Sequence, residues 1–181
     1  MMRDILGTDR LDSRLNMKIK IAAGVLAASI VTFFLWLQSS STIAPQSQFV
    51  MLDGTTKTTM DFRGQVMLVN FWATSCTSCI AEMPALTRTF EKQRGKGFQL
   101  IAVAMHYDPP SYVVNYAKSR QLPFDVAIDN TGNIAQAWGK VQLTPTTFIV
   151  NKQGEIIKRY VGTPDFAEVD KLIEKLLAEE A

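Results

Sequence analysis

The chain has 181 residues and a formal net charge of +2, with 19 basic residues, 17 acidic residues and only two cysteines. Five of the basic and three of the acidic residues precede residue 21, so the rest of the chain carries 14 of each and is neutral. A nucleic-acid surface needs lysine and arginine in clear, clustered excess, so this balance argues against a nucleic-acid partner. The length suits one domain with a substantial core.

An uncharged apolar run, Ile21–Leu37, follows the basic residues Lys18 and Lys20. As a helix it would span roughly 25 Å, which is at the short end for crossing a bilayer core. No charge follows until Asp53, and the positive-inside rule then puts the N-terminus in the cytoplasm and the domain outside. We expect a retained anchor. The alternative is a cleaved signal peptide, with Thr42–Ala44 as a weak cleavage site.

Composition divides the chain into four segments. The stretch Gln38–Gln48 is rich in Ser, Gln and Thr and is typical of a flexible tether. We therefore predict a cytoplasmic N-terminal segment at residues 1–20, a transmembrane anchor at 21–37, a linker at 38–48 and a folded domain at 49–181.

The folded domain alternates strand and helix patterns. Apolar and β-branched runs predict strands at Phe49–Leu52, Thr58–Met60, Val66–Trp72, Phe98–Met105, Asp125–Ile128, Thr146–Val150 and Ile156–Val161. Helical periodicity predicts helices at Cys76–Arg94, Ser111–Arg120, Asn133–Trp138 and Pro164–Glu180, with Ser111 and Thr163 as N-caps. Helices join the first long strands, which must then be parallel, whereas the last two strands form a hairpin. This order predicts an α/β fold in which helices flank a mixed central β-sheet.

The two cysteines, Cys76 and Cys79, lie where the strand Val66–Trp72 gives way to a helix. Two thiols at this spacing can form a disulfide with each other, and one can attack a partner's disulfide while the other releases the mixed disulfide. Disulfides persist outside the cytoplasm, and a structural bridge usually closes a longer loop. The pair therefore favours redox chemistry, with metal binding and simple packing as the alternatives.

Several segments around the cysteines together resemble a known family. The matching segments are Asn70, Phe71–Cys79 (FWATSCTSC), Glu82, Pro84 and Thr144–Phe148 (TPTTF). Together with the predicted anchor, they resemble the TlpA/ResA group of membrane-anchored thiol–disulfide oxidoreductases. The resemblance covers roughly residues 49–177 and implies a thioredoxin-like fold.

The resemblance implies a catalytic role for three residues. Cys76 would be the exposed attacking thiol, and its position in the first helical turn favours the thiolate and lowers its pKa. Cys79, one turn further along, would be the buried resolving thiol. Glu82 would face the dithiol one turn beyond Cys79 and exchange a proton with the resolving thiol.

The same resemblance implies two substrate-binding residues, Thr144 and Pro145, and two supporting residues, Trp72 and Asn70. The backbone of Thr144 would pair with a substrate strand, beside a cis peptide bond that precedes Pro145. Trp72 is expected to pack against the active-site turn. Asn70 occupies the position at which cytosolic thioredoxins carry a buried Asp, and we expect it to support the site.

Three residues depart from the family pattern. Ser75 stands where a Trp usually precedes the first cysteine, and Thr77 and Ser78 stand between the cysteines, where the second residue is usually Pro. Ser78 can donate a hydrogen bond to a thiolate, which Pro cannot do. These departures leave the reaction class intact and predict changes in reduction potential and partner choice.

The sequence therefore predicts a membrane-tethered thiol–disulfide oxidoreductase that reduces cell-envelope proteins, with no cofactor and no bound metal. Its partners would be protein thiols and disulfides in the cell envelope, together with a membrane thiol as electron donor. It would be a single-pass protein of the bacterial inner (cytoplasmic) membrane, with its domain facing the periplasm or the cell exterior. The alternatives are a copper chaperone that uses Cys76, Cys79 and His106, and a thiol peroxidase that activates Cys76 with Thr74.

Overall fold

The computed structural model describes residues 42–180. The strands are β1 (Thr42–Ile43), β2 (Gln48–Val50), β3 (Thr56–Thr58), β4 (Val66–Trp72), β5 (Phe98–Ala104), β6 (Asp125–Ile128), β7 (Thr146–Val150) and β8 (Glu155–Val161). The helices are α1 (Thr77–Gln93), α2 (Pro110–Arg120), α3 (Asn133–Ala137) and α4 (Phe166–Ala178), with a 3-10 turn at Thr59–Phe62.

Six strands form one mixed sheet in the order β1-β8-β7-β4-β5-β6. Strand β4 is parallel to β5, and β5 is parallel to β6, because a helix crosses between each pair. Strand β7 is antiparallel to both β4 and β8. The predicted α/β architecture with a mixed central sheet is therefore confirmed. Strands β2 and β3 pair separately as the predicted N-terminal hairpin. The predicted strand Thr58–Met60 is wrong in its bounds, because β3 ends at Thr58 and the next residues begin the 3-10 turn.

The sheet separates two core clusters, and β4 contributes to both. All seven β4 side chains are buried, which explains their continuous apolar pattern. The dithiol core packs α1, α2 and α4 on one face and includes Trp72 and Cys79. The aromatic core packs α3 and the β2–β3 hairpin on the other face and includes Phe71 and Trp138. Alternate β4 residues point to opposite clusters, as the strand period requires.

Two predicted helix caps are wrong. The N-cap of α4 is Asp165, whose carboxylate accepts a 2.8 Å hydrogen bond from the backbone N–H of Ala167, and not Thr163. The N-cap of α2 is Pro109, so Ser111 lies inside the first helical turn. In both cases a Pro near the boundary is compatible with two starting positions, and the local sequence does not choose between them.

The predicted linker, residues 38–48, differs from the structure in its last part. Strand β1 pairs antiparallel with the first residues of β8, Glu155 and Ile156. Ala44 is buried, and its backbone N–H donates a 2.9 Å hydrogen bond to the carbonyl of Gly154. The start of β8 needs a partner for its outer backbone groups, and this requirement overrides the tether-like composition.

Among residues 42–180, no helix combines the length and the apolar character that crossing a membrane requires. The predicted N-terminal segment at residues 1–20 and the predicted anchor at 21–37 lie outside the described residues. The anchor therefore stays a prediction.

Candidate active site

The two cysteines lie at the N-terminus of α1 and form a disulfide with each other, with Cα atoms 5.2 Å apart. Cys76 is the N-cap of the helix, and its Sγ accepts a 3.2 Å hydrogen bond from the backbone N–H of Cys79. Cys76 is half-buried, whereas Cys79 is completely buried. Only Cys76 is open to a partner protein, as the predicted attacking and resolving roles require.

The chain reaches the cysteines through a tight turn after β4. The backbone N–H of Cys76 donates a 3.1 Å hydrogen bond to the carbonyl of Ala73, which closes this turn. An N-cap is usually Ser, Thr, Asp or Asn, and here a cysteine sulfur occupies the cap position. The unpaired N–H groups and the dipole of a helix N-terminus favour an anion. The site therefore stabilises the thiolate that attacks a disulfide.

Two further polar atoms lie close to the Sγ of Cys76. The Ser78 hydroxyl oxygen is 3.4 Å from this sulfur, so the hydrogen bond predicted for this family departure is geometrically available. The carbonyl oxygen of Thr144 is 3.6 Å from the same sulfur. Ser75 and Thr77, the other two departures, are both exposed beside the disulfide.

The loop that precedes β7 forms the second wall of the site. The peptide bond between Thr144 and Pro145 is cis, as predicted. The Thr146 hydroxyl donates a 2.7 Å hydrogen bond to the carbonyl of Leu143, and the backbone N–H of Gly162 donates a 2.8 Å hydrogen bond to the carbonyl of Pro145. These bonds hold the half-buried Thr144 against Cys76, where its predicted substrate role would place it.

The Glu82 carboxyl group is buried in the dithiol face, one helical turn beyond Cys79. Its Oε1 accepts a 2.8 Å hydrogen bond from the Asn70 amide on β4, and its Oε2 has no hydrogen-bond partner among the described residues. Burial raises the pKa of Glu82 from 4.5 to about 7, because lost hydration outweighs the favourable effects of Asn70 and the nearby Thr163 hydroxyl. Such a carboxyl group can take or give a proton near neutral pH.

The predicted supporting residues both lie on β4 and face the dithiol core. Trp72 is completely buried in the same cluster as Cys79 and packs against the Tyr116 ring, with 5.4 Å between ring centroids. Asn70 is also completely buried and donates a second hydrogen bond, of 3.0 Å, to the Thr147 hydroxyl. Their placement agrees with a supporting role, and that role stays a prediction.

Sequence reasoning missed two residues of the site. Thr147 is the β7 partner of Asn70 and helps to orient the amide that binds Glu82. Asp108 follows β5 and accepts two hydrogen bonds from Thr74 in the turn before the cysteines. Thr146 and Thr147 begin a predicted strand whose other three residues are apolar, and these polar side chains were the sequence signal for Thr147. The place of Asp108 at the carboxyl end of a strand parallel to β4 was a weaker one.

The positions of His106 and Thr74 do not support a copper chaperone or a thiol peroxidase. His106 is exposed and packs against the ring of Tyr107. Residues 42–180 contain no group of three or more His, Cys, Asp or Glu side chains that could hold a metal ion. The Thr74 hydroxyl donates its hydrogen bond to Asp108. No contact in the described part of the chain therefore favours a copper chaperone or a peroxidase.

Comparison with known families and proteins gives a consistent result. The family model described as Redoxin matches residues 38–173. The chain is 32% identical over 133 residues to the thiol–disulfide oxidoreductase ResA of Bacillus thuringiensis, covering 74% of this chain and 76% of the relative. It is 27% identical over 172 residues to ResA of Halalkalibacterium halodurans, covering 92% and 97% of the two chains.

Solved structures agree with the sequence relatives. A solution structure from Neisseria meningitidis, described as a thioredoxin, is 39% identical with a TM-score of 0.70, over 76% of this chain and 91% of that one. A crystal structure of a thiol:disulfide interchange protein of the thioredoxin family from Chlorobium tepidum is 25% identical with a TM-score of 0.71, over 77% and 99%. With a disulfide-bonded Cys76–Cys79 pair at the helix N-terminus, the chain belongs to the Redoxin family and is a ResA-like thiol–disulfide oxidoreductase of the thioredoxin fold.

Proposed function

We propose that this enzyme is a membrane-tethered reductant that breaks disulfides in proteins of the cell envelope. The observation that carries the proposal is the charge around the dithiol. Glu82 on α1 and Asp108 beside the turn are buried carboxyl groups, and among the described residues no Lys, Arg or His forms a hydrogen bond with Cys76. When ionised, these carboxyl groups oppose the stabilisation that the helix N-terminus gives the Cys76 thiolate. This opposition favours the disulfide form of the enzyme, which is the property of a reducing couple.

The reaction is a two-step thiol–disulfide exchange. The Cys76 thiolate attacks one sulfur of the partner disulfide, so a mixed disulfide forms and the first partner thiolate leaves. Cys79 then loses its proton to Glu82, and its thiolate attacks the Sγ of Cys76. The second partner thiolate leaves, and the Cys76–Cys79 disulfide forms. Two electrons and two protons from a membrane thiol donor restore the dithiol.

The partner segment would lie along the loop before β7. The carbonyl of Thr144 is directed to the Sγ of Cys76 at 3.6 Å, so a peptide that brings a disulfide to Cys76 passes the backbone of this residue. Two exposed side chains flank the loop, since Leu143 is 66% exposed and Tyr107 is 51% exposed. The Tyr107 hydroxyl lies 3.5 Å from the Thr144 side-chain oxygen. This apolar rim suits an extended partner segment with hydrophobic side chains.

The proposed location depends on the sequence before the described residues. The apolar run at 21–37 and the basic residues that precede it support an anchor with the domain outside the cytoplasm. The sequence contains two cysteines, both in the redox pair, so its disulfide is redox-active rather than structural. Fractionation of cells that express the full chain, with protease protection of the domain in intact and opened cells, tests this location.

A trapping experiment tests the reaction. Cys79→Ala should accumulate mixed disulfides with cell-envelope proteins, because the resolving thiol is missing and Cys76 stays bound to its partner. Cys76→Ala is the matched control and should trap nothing, since Cys79 is completely buried. Diagonal gel electrophoresis followed by mass spectrometry identifies the partners. Equal yields from the two variants would rule out the assigned roles.

The direction of electron flow is tested by the reduction potential of the Cys76–Cys79 couple. Equilibration with glutathione buffers should give a value near that of thioredoxin, about −270 mV. A value near −120 mV, typical of a strong disulfide-forming oxidant, would contradict the reductant proposal and leave the exchange chemistry intact.

A further inference from the structure

The Asp108 carboxylate is buried and bound on both oxygens by one residue of the active-site turn. It is only 3% exposed. Its Oδ2 accepts a 2.6 Å hydrogen bond from the backbone N–H of Thr74, and its Oδ1 accepts a 2.5 Å hydrogen bond from the Thr74 hydroxyl. Among residues 42–180, no lysine, arginine or histidine forms an ion pair with it. Burying a carboxylate without a cation costs free energy. The two short hydrogen bonds from Thr74 offset part of this cost.

The sheet topology brings the two residues together across 34 positions of sequence. Strands β4 and β5 are parallel neighbours, so their following loops leave the same edge of the sheet. The backbone N–H of Met105 donates a 2.9 Å hydrogen bond to the carbonyl of Trp72, which joins the bases of the two loops. The N–H of Asp108 donates a 2.9 Å bond to the carbonyl of Met105 and fixes the carboxylate at that edge.

Thr74 lies inside the turn that presents Cys76. The turn is closed by the bond from the N–H of Cys76 to the carbonyl of Ala73, and the Sγ of Cys76 then meets the N–H of Cys79 at 3.2 Å. We propose that Asp108 is a positioning residue for Cys76, which it holds at the helix N-terminus by clamping Thr74. The proposal rests on exchange through Cys76 and is independent of the direction of electron flow and of the membrane anchor.

Asp129 provides a matched comparison within the same protein. It is 1% exposed, follows the next parallel strand, β6, and also has both carboxylate oxygens bound. Its donors are the backbone N–H groups of Ile134 and Ala135 at the start of α3, on the face that holds the aromatic core. Asp129 therefore shares the chemistry of Asp108 without its link to the cysteines.

The direct test is the reactivity of reduced Cys76 in the variant Asp108→Asn. An asparagine oxygen can still accept from the Thr74 backbone N–H and its amide can donate to the Thr74 hydroxyl, but both bonds lose the charge of the carboxylate, so they weaken and the clamp loosens. A looser turn withdraws Cys76 from the helix N-terminus, and the rate of alkylation by iodoacetamide at pH 7 should fall roughly tenfold, the effect of losing one charge-assisted hydrogen bond. Loss of the negative charge alone would have the opposite sign, since it would favour the thiolate and speed alkylation.

Two Thr74 variants extend the test without changing the charge. Thr74→Val removes the hydroxyl donor and should slow alkylation, because only the backbone bond to Asp108 remains. Thr74→Ser keeps both donors and should restore a rate within about twofold of the wild type. Thr74→Val also serves if Asp108→Asn does not fold.

Asp129→Asn is the stability control. It should lower the free energy of unfolding comparably and leave both the alkylation rate and the glutathione equilibrium of the dithiol unchanged. An unchanged or faster rate in Asp108→Asn, or an equal slowing in Asp129→Asn, would overturn the proposal. None of these readouts uses a physiological partner, so their failure is distinct from failure of the proposed reductant function.

Discussion

The two faces of the central sheet differ in how their buried polar atoms are satisfied. The dithiol core contains Trp72, whose indole N–H has no hydrogen-bond partner among the described residues. The aromatic core contains Trp138, whose indole N–H donates a 3.0 Å hydrogen bond to the Ser47 hydroxyl. Both rings are buried to the same degree. The same residue type is therefore fully paired on one face of the sheet and unpaired on the other.

The other unpaired buried atoms lie on the dithiol face as well. Asn70 Oδ1 and Glu82 Oε2 have no partner among the described residues, although their companion atoms share a 2.8 Å hydrogen bond. Each unpaired buried group costs about 1–3 kcal/mol. The aromatic face instead packs Phe71, Trp138 and Phe148 with 5.2–6.2 Å between ring centroids. Both faces bury a large apolar cluster, but the unpaired buried polar atoms of the described residues all lie on the dithiol face, where they include the titratable Glu82 carboxyl group.

The largest expected effect comes from the aromatic face. Trp138→Ala should lower the free energy of unfolding by about 3–5 kcal/mol, because it leaves a cavity between Phe71 and Phe148. The reduction potential of the Cys76–Cys79 couple should stay at the wild-type value. Urea denaturation and glutathione equilibration measure the two quantities, and Trp138→Phe provides a milder version. A large shift in the reduction potential would show that the aromatic face also influences the dithiol.

Most substitutions of a buried residue destabilise the folded protein, whereas Glu82→Gln should stabilise it at high pH. The pKa of Glu82 is raised from 4.5 to about 7 in the folded state, so folding favours the protonated carboxyl. The stability that the protonated Glu82 carboxyl group contributes is fully present below pH 4.5 and is lost as the pH rises through 7. At pH 8 the variant should therefore be more stable than the wild type by about 3 kcal/mol, and at pH 4 the two should agree. The measurement is urea denaturation of the oxidised protein across this range.

Glu174→Gln is the control for the pH experiment. The hydrogen bond and charge of Lys92 lower the pKa of the exposed Glu174. This contribution is present above pH 4.5 and is lost as the pH falls, so the variant should lose stability at neutral pH. If both variants changed the free energy of unfolding in the same direction at neutral pH, burial would not be the cause of the raised Glu82 pKa.

Asn70→Ala tests the hydrogen bond between Asn70 and Glu82 on the dithiol face. It removes the 2.8 Å hydrogen bond that the Asn70 amide donates to Glu82 Oε1, so the pKa of Glu82 should rise above 7, and stability at pH 8 should fall by about 1–2 kcal/mol. Carbon-detected NMR titration of the Glu82 carboxyl group follows the pKa. Thr147→Val removes the other partner of Asn70 and should shift the same pKa by less. An unchanged pKa in Asn70→Ala would contradict the assigned contact.

The smallest expected effect is at Ser78. Its hydroxyl lies 3.4 Å from the Sγ of Cys76 and is exposed, so Ser78→Ala removes a weak stabilisation of the thiolate. The reduced form becomes slightly less stable, and the reduction potential should fall by about 10–20 mV. Thr77→Ala is the neighbouring control and should leave the potential unchanged. A rise in potential for Ser78→Ala would show that this hydroxyl does not stabilise the thiolate.

Features that depend on local pattern could be predicted from the amino-acid sequence. The buried strand Val66–Trp72 was predicted with the bounds that the structure shows, because an unbroken apolar run needs a strand covered on both faces. The spacing of Cys76 and Cys79 permitted the disulfide that the structure shows. The cis peptide bond before Pro145 followed from the family resemblance, since base rates alone argue against it.

Only the tertiary structure decided which polar side chains meet. The Asn70–Thr147 pair spans 77 positions and the Thr74–Asp108 pair spans 34. Such contacts depend on strand order and register, which a single sequence constrains weakly. The raised pKa of Glu82 has the same origin. A glutamate in the first turns of a helix is usually solvated, and only the packing of α1 against β4 removes its water and raises its pKa.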